Sequence, residues 1–279
     1  MRQAVQTLKS KGLGDDEVRI FAYMISPDKP LDDHVAEVLA YILTLVDRIT
    51  NLDLGYAFIG DQGGKAVGKA LEVNSTLTSV DLKCNFIGAE GAKAIGKALE
   101  VNSTLRDLNL CGSIIGAEAA KAIGKALEIN STLTDLDLSS SGIGDEGAKA
   151  IGEALEVNSS LRDLNLSLNR IGDEGTQAIA EALTNGARVR FSFRVLDFVL
   201  LMQTEHGRVD VSKARMGDVQ TLTEKKRNLV LNLCWNKIGD IGARAIGEAI
   251  ANDDRLKSLS MDGNKSIEEQ GTRAIASGL

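Results

Sequence analysis

Two patterns of apolar and polar positions alternate along the middle of the chain. The first is short, as in Leu133-x-x-Leu136-x-Leu138, and its alternation predicts a half-buried strand. The second sets Ala148, Ile151, Ala154 and Leu155 on one stripe at helical spacing. Asp145 and Glu146 open that helix, where its dipole favours negative charge. The two patterns recur as one unit. Leu77 to Thr104 reads LTSVDLKCNFIGAEGAKAIGKALEVNST, Leu105 to Thr132 reads LRDLNLCGSIIGAEAAKAIGKALEINST, and Leu133 to Ser160 reads LTDLDLSSSGIGDEGAKAIGEALEVNSS. The period is 28 residues without a gap. The register reaches back to Ile49 and forward to Arg188, giving five contiguous units. A sixth covers Asn228 to Arg255, and a shorter seventh runs from Leu256 to Leu279.

A short strand or a single helix cannot bury its apolar face alone. Stacked copies can, with a parallel sheet on one side and helices on the other. This predicts an α/β solenoid. The unit pattern L-x-x-L-x-L-x-x-N-x-I-G resembles the ribonuclease-inhibitor-like leucine-rich repeat and is similar to the repeat arrays of nucleotide-binding leucine-rich-repeat receptors. The resemblance implies a curved horseshoe, with the sheet on the concave side and the helices on the convex side. It implies a scaffold used by many partners. The asparagine after the strand is present as Asn85, Asn169, Asn236 and Asn264. Ala57, Ser113 and Ser141 replace it elsewhere, so an asparagine ladder breaks there.

The domain organisation follows from the register. Residues 1–48 read as a helical N-terminal cap holding a degenerate unit, with Leu31, Ala36, Leu39, Ile42 and Leu43 on its apolar positions. Residues 49–188 are the five repeats, and 228–279 are two more, the last incomplete. Leu279 leaves an open core face, which points to a fragment or to an edge that meets another chain. Between the blocks, residues 189–227 carry Phe191, Phe193 and Phe198, with eight basic and five acidic residues. That segment is either a functional loop or translated non-coding sequence, an artefact of the gene model.

Composition fits the repeat. The chain has 28 glycines and 2 prolines, and aromatics make up 4%. One glycine series, Gly68, Gly96, Gly124, Gly152 and Gly247, falls inside the helices, with Ala180 at the same place in the fifth unit. Glycine there costs roughly 1 kcal/mol relative to alanine, so its recurrence implies close approach of a neighbour. A second series, Gly60, Gly88, Gly116, Gly144, Gly172 and Gly239, enters the helix and suits a left-handed backbone. The net charge of −7 disfavours nucleic acid as partner. The longest apolar run, Val195 to Met202, is interrupted by Asp197 and is too short to span a bilayer. With no signal peptide and three scattered cysteines (Cys84, Cys111, Cys234), the expectation is a reduced, cytoplasmic monomer.

Motifs for chemistry are weak. Gly142 to Gly147 matches G-x-G-x-x-G, but Asp145 and Glu146 would repel a pyrophosphate, and one chance glycine creates the match. Gly60 to Ala66 falls one residue short of a P-loop. The sequons at Asn74, Asn102, Asn130 and Asn158 read better as helix C-terminal caps. His34 and His206 lie in no ligand cluster. Lys69, Lys97 and Lys125, each three residues before Glu72, Glu100 and Glu128, read as a solvated, locally paired face. No catalytic set, metal site or cofactor is implied, so the chain reads as a non-enzymatic module.

Strand alternation turns the residues between the leucines outward. The strands therefore present Asp53, Asp81, Asp107, Asn109, Asp135, Asp137, Asp163 and Asn165 on one face. Lys83, Arg106 and Arg162 stand at its margins. Such a face suits a basic protein or peptide. Tyr56 and Trp235, just past the strands and aligned with Leu168, are candidate anchors. Trp235 would equally seal the insertion. Two other readings stand beside the scaffold. Ran GTPase-activating proteins use similar repeats, and Arg170 is the residue that resemblance points to. The chain also resembles the sensing part of a nucleotide-binding leucine-rich-repeat receptor.

Overall fold

The computed structural model describes residues 50–185, 229–252 and 256–278. The expected N-terminal cap and the segment 189–227 lie outside them. Seven strands form one parallel sheet in sequence order: β1 (Asn51–Asp53), β2 (Ser79–Asp81), β3 (Asp107–Asn109), β4 (Asp135–Asp137), β5 (Asp163–Asn165), β6 (Leu229–Asn232) and β7 (Leu256–Ser260). Each is followed by a helix: α1 (Asp61–Val73), α2 (Ala89–Leu99), α3 (Gly116–Ile129), α4 (Gly144–Val157), α5 (residues 173–185), α6 (Asp240–Asn252) and α7 (Glu269–Gly278).

The core is the thin layer between sheet and helices. Leu108 and Leu110 from the strand side and Ile115, Ile123 and Leu127 from the helix side are fully buried. Each is worth roughly 1.5–3 kcal/mol relative to exposure. The same five positions repeat in the neighbouring units, which is why one continuous core runs through the array. The solenoid also continues across the insertion. β5 pairs with β6 in register, Asp163 beside Val230 and Asn165 beside Asn232.

Buried polar side chains stitch each repeat to the one before. Asn85 Oδ1 accepts the amides of Ala57 and Ile59 at 3.0 and 2.9 Å, and its Nδ2 donates to Leu54 O and Leu82 O. Asn169 does the same for repeat four, holding the amides of Ser141 and Ile143 and donating to Leu138 O and Leu166 O. Asn236 and Asn264 continue the series on repeats five and six. Serine at 113 and 141 cannot span that distance. Ser141 Oγ turns to Leu110 O and Ser139 O, and buried Ser113 Oγ finds no partner. A second ladder runs behind the helices. Asn102 donates to Leu71 O and Asn74 O, Asn130 to Leu99 O and Asn102 O, and Asn158 to Leu127 O and Asn130 O. Asn130 and Asn158 are the C-caps of their own helices, whereas α2 is capped at Glu100, and all three asparagines lock their repeat to the previous one.

The loop glycines differ from expectation. Of the second series, only Gly116 (φ 70°) and Gly144 (φ 63°) are left-handed; Gly60 and Gly88 are extended at φ −93° and −90°. The reason lies one repeat upstream. Asp61 accepts the Gly91 amide at 2.7 Å. Asp145 accepts those of Gly172 and Gly175, and Asp173 those of Gly239 and Gly242. Each aspartate thus caps the next repeat's helix. Ala89 and Ala117 occupy its place in repeats two and three, and the following glycines, Gly116 and Gly144, take the left-handed form. Their amides donate forward to Ser141 O and Asn169 O. Asp145 is therefore engaged in capping inside the apparent G-x-G-x-x-G.

The helix surface is paired differently too. Among the described residues, ion pairs join Lys93 to Glu90 and Lys121 to Glu118, both at 3.1 Å. No ion pair joins Lys69, Lys97 or Lys125 to Glu72, Glu100 or Glu128 among them. The salt bridges sit one turn nearer the helix start.

Candidate functional site: the sheet face and its rim

Strand register sorts the outward residues into two rows. The first runs Asn51, Ser79, Asp107, Asp135, Asp163, Val230, Ser258. The second runs Asp53, Asp81, Asn109, Asp137, Asn165, Asn232, Ser260. Neighbouring strands stand about 4.8 Å apart, so side chains along a row are near neighbours.

The second row has a job within the fold. Asp53 accepts the Gly55 amide, Asp81 that of Lys83, Asn109 that of Cys111, Asp137 that of Ser139, Asn165 that of Ser167 and Asn232 that of Cys234, all between 2.8 and 3.1 Å. These are Asx turns, which swing the chain off the strand. Sequence reasoning took this row as partner-facing and missed the turn. The signal was there, since six successive repeats place only Asp or Asn at this position, whereas the first row varies freely.

The first row is the exposed one. Asp107, Asp135 and Asp163 lie side by side on three adjacent strands. Partial loss of water pushes the Asp107 carboxyl up, against the lowering effect of the Ser79 hydroxyl that donates to it at 3.0 Å. The charges of Asp135, Asp81 and Asp137 add to the rise. Asp163 is raised by the same desolvation and by Asp135 and Asp137. Of the three marginal cations, Lys83 pairs with Asp81 at 2.7 Å, which holds the lysine's pKa up. Among the described residues no ion pair joins Arg106 or Arg162 to either row.

At the end of the strands, the loop residues form a rim. The residue three positions after each second-row residue has a left-handed backbone in all seven repeats: Tyr56, Cys84, Gly112, Ser140, Leu168, Trp235 and Gly263. In the first six, its amide donates to a carbonyl of the next repeat, which holds the conformation. Tyr56 is 64% exposed and Trp235 57%. A Cβ on Gly263 would collide with the Trp235 indole, so the missing side chain makes room for the ring. A hydrogen bond with Cys84 pushes the Tyr56 hydroxyl up.

Sequence reasoning missed the rest of the rim. Phe58, Phe86 (61% exposed) and Ile114 (76% exposed) point outward beside buried Ile59, Ile87 and Ile115. The Phe58 and Phe86 rings stack at 5.8 Å. Tyr56 is exposed in the same repeat as Phe58, and Leu168 and Trp235 are exposed at equivalent positions of repeats five and six. The later repeats carry Gly142, Arg170 and Lys237 where the first three carry Phe, Phe and Ile. That contrast was visible in the aligned repeats.

A family model described as leucine-rich repeat matches residues 73–96, 130–152, 157–180 and 225–247. The parallel strand-helix array and these matches agree. The fold is a leucine-rich-repeat solenoid. No curated protein matches the sequence. Among solved structures, the array is similar to leiomodin-1 actin-binding site 2, with a TM-score of 0.43 and 18% identity, covering 71% of this chain and 96% of that one. It is also similar to the tropomodulin C-terminal domain of Caenorhabditis elegans, with a TM-score of 0.43 and 14% identity, covering 70% and 98%. Among the described residues, the solenoid has no cluster of three or more His, Cys, Asp or Glu arranged to hold a metal ion, and no helix long and apolar enough to cross a membrane.

Proposed function

We propose that this solenoid is a non-enzymatic scaffold that binds a basic protein or peptide across its sheet face. The observation that carries the reading is the first row. Asp107, Asp135 and Asp163 are exposed, in register on adjacent strands, and free of the turn duty that occupies Asp53, Asp81, Asn109, Asp137 and Asn165. Like charges about 4.8 Å apart repel one another, and a cationic partner relieves that repulsion. Tyr56 and Trp235 flank the row as apolar anchors. On this reading the repeats are of the ribonuclease-inhibitor-like kind. The protein is cytoplasmic and monomeric, with residues 1–48 capping the array and 189–227 inserted between its blocks.

The test is neutralisation of the row. Asp107→Asn, Asp135→Asn and Asp163→Asn together leave every Asx turn intact. Proteins captured from a lysate by the wild-type chain and released by salt should be lost with this variant. Retention of the same partners with the same salt dependence removes the acidic-face reading. The competing reading, GTPase activation through Arg170, rests on an exposed arginine held at φ 61° in the loop after Asn169. A single-turnover hydrolysis assay with a Ran-type GTPase and an Arg170→Ala control decides it.

A further inference from the structure

The asparagine column answers the same demand at each junction where it is intact. Its Oδ1 takes two amides of the preceding repeat. Asn85 takes those of Ala57 and Ile59 at 3.0 and 2.9 Å, Asn169 those of Ser141 and Ile143 at 2.9 and 3.2 Å, and Asn236 those of Asn169 and Ile171 at 2.9 and 3.0 Å. At the junction of repeats two and three the column holds Ser113, and the two amides in the same place are those of Asn85 and Ile87. Among the described residues neither amide is hydrogen-bonded. The Ser113 hydroxyl has no partner either.

These groups are far from bulk solvent. Ser113 and Ile87 are fully buried and Asn85 is 3% exposed. The junction has not parted to let solvent in, since Leu82 N still donates to Asn109 O at 2.8 Å and Cys84 N to Cys111 O at 2.6 Å. Buried polar groups without any partner are rare, because each has given up its hydration for nothing. Serine is two heavy atoms shorter than asparagine, and a water takes about 30 Å3 of liquid volume, close to that of the missing atoms.

We propose that Ser113 marks a binding site for one buried water, which does the work of the missing carboxamide between repeats two and three. The water accepts the Asn85 and Ile87 amides and donates one proton to Ser113 Oγ. Its second proton goes to Leu82 O, the carbonyl equivalent to Leu54 O, Leu138 O and Leu233 O, which the column's asparagines reach in the repeat before their own. That gives the water two to four hydrogen bonds to buried groups, as such waters have. Ser141, the other serine in the column, marks no such site, because its Oγ is bonded to Leu110 O and Ser139 O. Exposed Phe86 lies between the two amides in sequence, and exposed Ile114 follows Ser113. The water therefore ties together the two loops that turn these side chains outward.

The test is water-selective NMR on the full chain, deuterated and nitrogen-labelled, comparing the wild type with Ser113→Ala and Ser113→Asn. In the wild type, the Asn85 and Ile87 amides should show cross-peaks to water with the sign of a molecule bound for longer than nanoseconds. Those cross-peaks should persist in Ser113→Ala, which keeps both amides and removes the hydroxyl whose proton exchange would imitate the signal. They should fall at least tenfold in Ser113→Asn, whose carboxamide takes over both amides as in the intact junctions. The amide spectrum outside repeats two and three reports that each variant keeps the fold. Absence of the cross-peaks in the wild type, their loss in Ser113→Ala or their persistence in Ser113→Asn overturns the proposal. None of these readouts involves the sheet-face aspartates, so the acidic-face reading stands or falls separately.

Discussion

Replacing Gly124 by alanine sets two physical effects against each other. In an isolated helix the change stabilises by about 1 kcal/mol, since alanine is the better helix former. In this solenoid Gly124 faces the backbone of α4. A Cβ placed on it would stand 2.7 Å from Ala150 O and 3.0 Å from Ala150 C, where ordinary contact begins at 3.4 Å. Both atoms belong to a hydrogen-bonded helix, so no side chain can swing away. The α3 and α4 helices must part by about 0.7 Å, a gap that forfeits a quarter to a half of the attraction at each contact along the seam. Overpacking of this kind costs about 1–3 kcal/mol, more if the next repeat is also displaced. After subtracting the propensity gain, Gly124→Ala should destabilise by up to about 2 kcal/mol. The assay is urea unfolding followed by far-UV circular dichroism, comparing midpoints at constant slope. The reverse change in the same column, Ala180→Gly, should also destabilise, by about 1 kcal/mol, through propensity alone. A rise in the Gly124→Ala midpoint would show that helix spacing is not what keeps glycine in this column.

The buried clamp should be more sensitive. Asn169→Ala leaves two amides and two carbonyls without their partner and should cost about 2–4 kcal/mol in the same unfolding experiment; a loss under 1 kcal/mol would argue that water replaces the side chain. Asp145→Ala removes the cap from the following helix, bonded to Gly172 and Gly175, and should cost about 1 kcal/mol; an unchanged midpoint would sink the inter-repeat capping account. Asp107 and Asp163 have folded pKa values above the ordinary 3.8, so ionising them opposes folding, and their contribution is most favourable below that value and is lost as pH rises through the raised one. Asp107→Asn/Asp163→Asn should therefore raise stability at neutral pH, with the gain vanishing in acid below the ordinary carboxylate value. A gain independent of pH would rule out charge as its cause.

Much of the site could be read before the fold was known. Alternation in the strand pattern identified Asp107, Asp135 and Asp163 as outward, and Tyr56 and Trp235 as lying past the strands. The same alternation could not divide the outward residues into two rows of different duty. Asp137 and Asp135 look alike in sequence, but Asp137 is bonded to the Ser139 amide and hydroxyl and to Asn165, whereas Asp135 is left on the open face. The apolar rim escaped because Phe58 and Phe86 precede buried isoleucines and so resemble a core run. Only the backbone direction at the loop turns them out.

The 28-residue period by itself determined the fold class, the parallel order of the strands and the glycine column between helices. Each is a consequence of repetition: identical units that cannot bury their faces alone must stack in register. What the sequence could not fix is anything that depends on the neighbouring repeat's identity. Gly116 is left-handed and Gly88 extended because Ala89 and Asp61, one repeat upstream, respectively lack and supply a carboxylate. Ser113 is left unpaired because a hydroxyl cannot reach where a carboxamide does. Those bonds join residues about one repeat apart in sequence and in contact only after stacking. The tertiary structure therefore decided which aspartates hold the fold together and which remain available to a partner.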